Sequence, residues 1–150
     1  MRSLQERLSY FWRDAGLLEL ALSHRSWANQ QRGRAHNERL EFLGDAVLDL
    51  ILADHLFRRF PLLDEGGLSQ LRSQLVCVDA LHHAAVRVEL WRYLRVGRGE
   101  ERVRGAPRVL ADAMEAVVGS AFMDGQIIAA ARVAHASGII PHELSEEVLR

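Results

Sequence analysis

Lysine is missing from this 150-residue chain, and cysteine nearly so. All 19 basic residues are arginines, set against 20 carboxylates for a formal net charge of −1. A balance so close to neutral argues against a chain that grips nucleic acid non-specifically through an excess of positive charge. It does not exclude a nuclease, because acidic metal ligands cancel basic phosphate contacts in the sum. The single cysteine, Cys77, excludes an intrachain disulfide and a cysteine-rich zinc knuckle. It follows Val76 in an apolar run and is read as buried filler rather than as a nucleophile. Only 3 prolines, with 49% hydrophobic and 26% charged residues, exclude a disordered, collagenous or low-complexity chain. No stretch approaches the roughly eighteen uncharged apolar residues of a membrane span. Met1 to Leu8 carries charge with no apolar region after it. Neither a membrane partner nor a signal peptide is expected, and the expected compartment is the cytoplasm.

What is present is a helical period almost throughout. The length predicts one domain over residues 1–150, able to bury about 68–70% of the surface its unfolded form exposes. Leu4, Leu8, Phe11 and Trp12 fall at helical intervals, with Gly16 as the stop. Leu17 to Leu22 reads as a short helix and Ser23 to Ala35 as a polar turn region. A long helix is predicted from Asn37 to Phe60, stopped by Pro61 and apolar on more than one side. Pro61 to Gly67 reads as a loop, with Ser69 as the N-cap of a helix to Val76 and Asp79 as the cap of the next. Gly97 to Pro107 is the least structured segment. Val109 to Met123 is a second apolar helix closed by Asp124-Gly125, followed by Ile127 to His135 up to Gly138 and an amphipathic tail from Pro141. No run alternates with period two for long enough to make a sheet. The fold class is all-α.

The two most apolar helices carry carboxylates. Glu38, Glu41 and Asp45 stand at i, i+3 and i+7, and so project from one face. Gly44 lies among them, where a helix-interior glycine costs roughly 1 kcal/mol against alanine. That placement predicts close approach of another backbone or a ligand. In the second helix Asp112 and Glu115 stand at i and i+3, and Gly119 again thins the surface one turn on. Ion pairs with arginines such as Arg39 or Arg72 are the alternative reading of these acids. Taken together, however, carboxylates on two helices of this hydrophobicity carry a desolvation cost of several kcal/mol without strong partners. If the helices cross, four carboxylates converge, and divalent cations offset their repulsion. An all-oxygen set with no histidine suits Mg²⁺ and disfavours zinc. Such a site can activate water and neutralise charge developing on a phosphoryl group.

The run Asn37-Glu38-Arg39-Leu40-Glu41-Phe42-Leu43-Gly44-Asp45-Ala46-Val47-Leu48 resembles the signature of the ribonuclease III endonuclease domain. The resemblance extends upstream to Leu22-Ser23-His24-Arg25-Ser26. Downstream it takes in Phe60-Pro61, Asp64-Glu65-Gly66, Leu68-Ser69, Leu71-Arg72 and Gly97-Arg98-Gly99-Glu100. It closes with Leu110-Ala111-Asp112-Ala113-Met114-Glu115-Ala116, and covers roughly residues 4 to 135 in order. It implies an all-helical, dimeric fold: a two-fold homodimer with double-stranded RNA in a valley between subunits. It also implies metal-assisted hydrolysis to 5′-phosphates and short 3′ overhangs, in RNA and rRNA processing. By motif position the metal ligands are Glu41, Asp45, Asp112 and Glu115, with Mg²⁺ as cofactor and Mn²⁺ as substitute. Glu38 and Glu65 match two further acidic positions of the catalytic centre, and Phe42 the aromatic that enters a pocket of the partner subunit. Duplex RNA is then read by shape, 2′-hydroxyl and phosphate contacts, with Arg98 and Arg104 as phosphate ligands.

His24 and Arg25 are read as organising the motif helix, and His82-His83 as helix surface. The chain departs from the family pattern at Arg108, where a serine is common, and in the tail from His135 to Arg150. It is also expected to be a catalytic domain without the family's C-terminal RNA-binding domain, which leaves room for an accessory RNA-binding protein. The alternative function is a dimeric RNA-binding or ribonucleoprotein scaffold without catalysis. Loss of acidic ligands would favour it, and all four are present.

Overall fold

The computed structural model describes residues 1–142. It contains seven α-helices among those residues: α1 (Arg2–Arg7), α2 (Ala15–Ala21), α3 (Arg25–Gln30), α4 (Glu38–Arg59), α5 (Glu65–Leu75), α6 (Val78–Arg87) and α7 (Pro107–Ser137). Short 3₁₀ turns at Leu90–Arg92 and Glu101–Gly105 lead into α7. The described residues form no strand, only one isolated bridge between Ser23 and Arg95. The predicted tail lies, from residue 143 on, outside the described residues.

α7 is the axis of the molecule and packs chiefly on α4 and α6, then on α2. Its length and apolarity match a membrane-crossing helix, yet half of that apolar window is buried inside the protein. Leu48 and Leu52 of α4 meet Leu110, Met114 and Val117 of α7 in the main core. The acids in the first turn of α4 (Glu38, Glu41) and the arginines in its last (Arg58, Arg59) complement the helix dipole. α7 breaks at Gly125 and Gln126, and Gln126 adopts φ 60°. Asp124 locks this kink to the N-terminal loop. Its nearly buried carboxylate accepts from the Tyr10 hydroxyl at 2.6 Å and from the backbone N–H of Arg13 and Asp14, each at 2.9 Å. Burial alone would raise the pKa of Asp124, but these donors outweigh it and hold the carboxyl below its ordinary value.

Where α4 and α7 cross, the two backbones touch. A Cβ on Gly44 would lie 2.6 Å from the Glu115 carbonyl carbon and 3.0 Å from the Gly119 nitrogen, and closer still to the Glu115 oxygen. A Cβ on Gly119 would meet the Leu40 carbonyl and stand 3.0 Å from the Gly44 nitrogen. The helix-interior glycines are thus the close-approach points that their position predicts.

Several local expectations are corrected. Gly16 does not end a helix; it lies in α2, whose N-cap Asp14 accepts from its N–H. Phe11 is 56% exposed, whereas Leu4, Leu8 and Trp12 are buried. The segment 23–35 holds α3, capped by His24 Nδ1. Gly66-Gly67 is helix and not loop: Asp64, not Ser69, caps α5 by accepting from Gly67 at 2.8 Å. Burial of Leu71 against Leu56 and Phe60 outweighs the glycines' poor propensity. Cys77, not Asp79, precedes α6, and the thiol is exposed rather than buried filler.

Candidate functional site

The start of α4 is set by the short run before it. The buried Asn37 side chain donates to the Ala21 carbonyl at 3.1 Å, and its backbone N–H donates to the Ser23 carbonyl at 3.0 Å. His24 donates its backbone N–H to the Arg95 carbonyl, and the Ser26 hydroxyl accepts from Gly97 N–H at 2.9 Å. Arg95 reaches back to the Ser23 hydroxyl and covers the Trp27 ring at 4.3 Å. The His24 ring caps α3 through Ser26 and also lines the cavity described below, and burial lowers its pKa.

The helix crossing brings Glu41 of α4 to Asp112 and Glu115 of α7. Each offers one carboxylate oxygen, and the three oxygens lie within 4.8 Å of one another. Beside them is a cavity of about 410 Å³ whose walls include His24, Arg25, Glu38, Glu41, Arg108 and Asp112. Among the described residues neither Glu41 nor Glu115 has a cationic partner at ion-pair distance. The only one within the trio is Arg108 Nε to Asp112 Oδ1, at 2.8 Å. The arginines expected as alternatives do not meet the trio among the described residues: Arg39 forms no ion pair there, and Arg72 meets Asp49 at 3.7 Å. Sequence reading missed the Arg108–Asp112 pair, although i, i+4 spacing was its signal.

The other candidates sort by position. Asp45 is exposed and outside the tight trio, but its charge faces Glu115. Glu38 sits at the cavity rim, 3.6 Å from Arg25 and 3.8 Å from His36. Glu65 is not brought to the cluster within one chain; it accepts from the Ser69 hydroxyl and lines a separate groove with Phe57 and Leu63. Arg98 has its backbone pinned between donor and acceptor of the Gln30 amide while the residue stays exposed. Arg104 is half-buried, and among the described residues its enclosed Nε has no hydrogen-bond partner. Phe42 is 82% exposed, so it is not ordinary core packing. His83 is exposed, as expected for helix surface.

Three half-buried carboxylates in contact cannot all ionise cheaply. Burial first, then the charges of Asp45, Asp112 and Glu41, push the Glu115 carboxyl up to about 8. Burial also raises Glu41, with Asp112 adding to it, and raises Asp112 despite Arg108. The donor set fits a hard divalent cation: all oxygen, convergent, and short of positive charge. A pH dependence follows. An unfolded glutamate ionises near 4.3, whereas folded Glu115 keeps its proton to about 8. Between those values the folded state binds more protons, so stability falls as pH rises through that window. Melting in chelator should therefore drop from pH 6 to pH 9. Glu115→Gln should flatten the drop, and Mg²⁺ should oppose it. An equal drop in the variant would contradict this assignment.

Comparison with known proteins bears on what this geometry serves. The family described as Ribonuclease-III-like matches residues 14–141. A ribonuclease 3 of Pelotomaculum thermopropionicum is 47% identical over 135 residues, covering 87% of this chain and 56% of that protein. The ribonuclease 3 of Bordetella petrii is 48% identical, covering 89% and 52%. The chain thus spans about half the length of the curated relatives it matches. The solved nuclease domain of ribonuclease III from Campylobacter jejuni superposes with a TM-score of 0.86 at 32% identity, covering 97% of this chain and 98% of that one. A second structure of that domain, described for flexibility in a region involved in dimer formation, gives 0.84 at 35% identity, covering 90% and 93%.

Proposed function

The chain belongs to the ribonuclease-III-like family, and from that premise we propose that it is a divalent-metal-dependent endoribonuclease cutting double-stranded RNA. The observation that carries the reading is the convergence of Glu41, Asp112 and Glu115 at the glycine crossing of α4 and α7. These three, with Asp45 at the edge, would hold Mg²⁺ or Mn²⁺. The bound cation would supply Lewis-acid stabilisation of charge on the phosphoryl group and a more acidic water. The protein's own part is to fix the carboxylates through backbone contact and to keep water scarce around Glu115. Exposed Arg98, with Arg25 at the rim, would take phosphate oxygens of the duplex. Products would carry 5′-phosphates and short 3′ overhangs, in RNA processing in the cytoplasm. With a net charge of −1 the chain's own RNA affinity would be low, and an accessory RNA-binding protein would add to it.

We also read the outer face of α4 as a homodimer contact. Phe42, Ala46, Leu50 and Phe57 share one stripe, with Phe42 82%, Leu50 61% and Phe57 71% exposed. The groove beside Phe57, about 500 Å³ and lined by Ala53, Leu56, Leu63 and Leu68, suits an aromatic side chain from a second copy. In a two-fold pair each Phe42 would meet an equivalent patch. Phe42→Ala should shift sedimentation towards monomer by about thirtyfold or more in dissociation constant, since truncating a buried aromatic anchor costs more than about 2 kcal/mol. Active monomer at micromolar concentration would contradict the dimer. The decisive test of function is purified chain with long duplex RNA at low salt, with and without Mg²⁺, followed by product sizing. Short duplex products only in Mg²⁺ are expected; an intact duplex in both would overturn the reading.

A further inference from the structure

Arg108 is misplaced by the rules of its own helix. It stands in the first turn of α7, which holds no acidic residue, and a cation there opposes the helix dipole. Its pairing with Asp112 also runs in the less favourable order, cation before anion at i, i+4. Local helix chemistry does not explain the contact; the acidic trio does. The guanidinium takes one of the two carboxylate oxygens of Asp112 at 2.8 Å while its side chain stays 72% exposed. It shares the cavity wall with Glu41 and Asp112, and its charge acts on all three carboxylates of the trio.

We infer that Arg108 is a built-in counter-cation that competes with the divalent ion for Asp112 and is drawn off by an RNA phosphate, so that RNA and metal promote each other's binding. The inference rests on the metal-dependent nuclease reading. A guanidinium on one Asp112 oxygen draws charge from the whole carboxylate and so weakens its hold on a hard cation. An exposed arginine on a long stem is free to turn out of the cavity mouth, and a phosphodiester matches the planar fork as a carboxylate does. Arg25, the other cation on the cavity wall, lies 3.6 Å from Glu38 and not on the trio. Arg108 is therefore the cation whose departure frees a ligand. By linkage, whatever factor RNA adds to metal affinity the metal must add to RNA affinity.

The test measures Mn²⁺ binding by calorimetry to wild type, Arg108→Gln, Arg108→Lys and Glu115→Gln without RNA. It then compares the affinity for a short RNA duplex in chelator and in Ca²⁺, with product sizing to verify an intact duplex. Arg108→Gln is expected to bind Mn²⁺ about fivefold or more tighter without RNA, the low end of measured couplings. The factor by which Ca²⁺ tightens duplex binding should shrink in the same variant, with Arg108→Lys in between. Unchanged Mn²⁺ affinity in Arg108→Gln, or an unchanged Ca²⁺ factor, overturns the inference. If wild type binds Mn²⁺, Glu115→Gln does not, and Arg108→Gln matches wild type, the inference falls alone. If no form binds Mn²⁺, the metal reading falls and takes it along. The exposed position of Arg108 keeps the variants folded, which their melting curves check directly.

Discussion

Glu115→Gln is expected to lower single-turnover cleavage of duplex RNA by more than about 100-fold, the upper range for losing a group that merely supports a metal ligand. Duplex binding in chelator and dimerisation should largely persist, while the tightening by Ca²⁺ is lost with the cation. The reasoning starts from the position of Glu115, which is the most perturbed acid of the trio and is held up to about 8 by burial and by Asp45, Asp112 and Glu41. A carboxylate kept there at such cost is unstable without a cation, so the charge is what the site needs. Glutamine preserves size and hydrogen bonding, and removes the charge. It should also stabilise the metal-free fold at pH 8 to 9, because it removes repulsion from the remaining acids. Loss of cleavage together with gain of apo stability separates a metal ligand from a structural acid, whose removal would lower both. Retained wild-type cleavage would sink the assigned role. Glu65→Gln gives a contrast: Glu65 lies in the groove beside Phe57, so metal affinity of the single chain should be unchanged.

The parts legible in the sequence were those where one chemistry dominates. The long apolar runs of α4 and α7 specify buried helices, and the glycines within them announce the crossing that the structure shows. The acids at 41, 112 and 115 were legible because carboxylates on such helices demand a partner. The capping of α5 was not legible. Gly66-Gly67 signals a loop by propensity, and only the burial of Leu71 on Leu56 and Phe60, together with the reach of Asp64 to Gly67, turns it into helix. Long-range polar contacts were hidden for a related reason. Nothing near Asp124 in sequence indicates that Tyr10, Arg13 and Asp14 will supply its donors. The separation of Asp45 and Glu65 from the trio was equally out of reach, since spacing fixes a helix face but not the distance across a crossing.

Gly44→Ala is expected to be the most destabilising single-methyl change in the molecule, although it improves helix propensity by roughly 1 kcal/mol. The added Cβ would stand 2.6 Å from the Glu115 carbonyl carbon and 3.0 Å from the Gly119 nitrogen, both backbone atoms that no rotamer change can move. Overpacking against side chains costs about 1–3 kcal/mol and occasionally more. Against a helix backbone the cost should reach or pass the top of that range. That is a large share of the about 5–15 kcal/mol that holds a domain folded. At about 2–4 °C per kcal/mol for a chain of this size, melting should fall by at least about 6 °C. Gly66→Ala is the control. Its Cβ would meet only the Asp64 carboxylate, at an ordinary 3.6 Å, so a gain of about 0.4–1 kcal/mol is expected there. The same substitution thus changes sign between two helix glycines according to what each faces. Any Gly44→Ala protein that still folds must hold α4 away from α7, which widens the gap between Glu41 and Glu115. Its divalent-cation affinity should then fall with its stability, and Gly119→Ala at the same crossing should add less than its separate cost, since the first separation relieves the second clash. Wild-type melting in Gly44→Ala would mean the helices do not meet backbone to backbone, and the trio would lose the scaffold that brings it together.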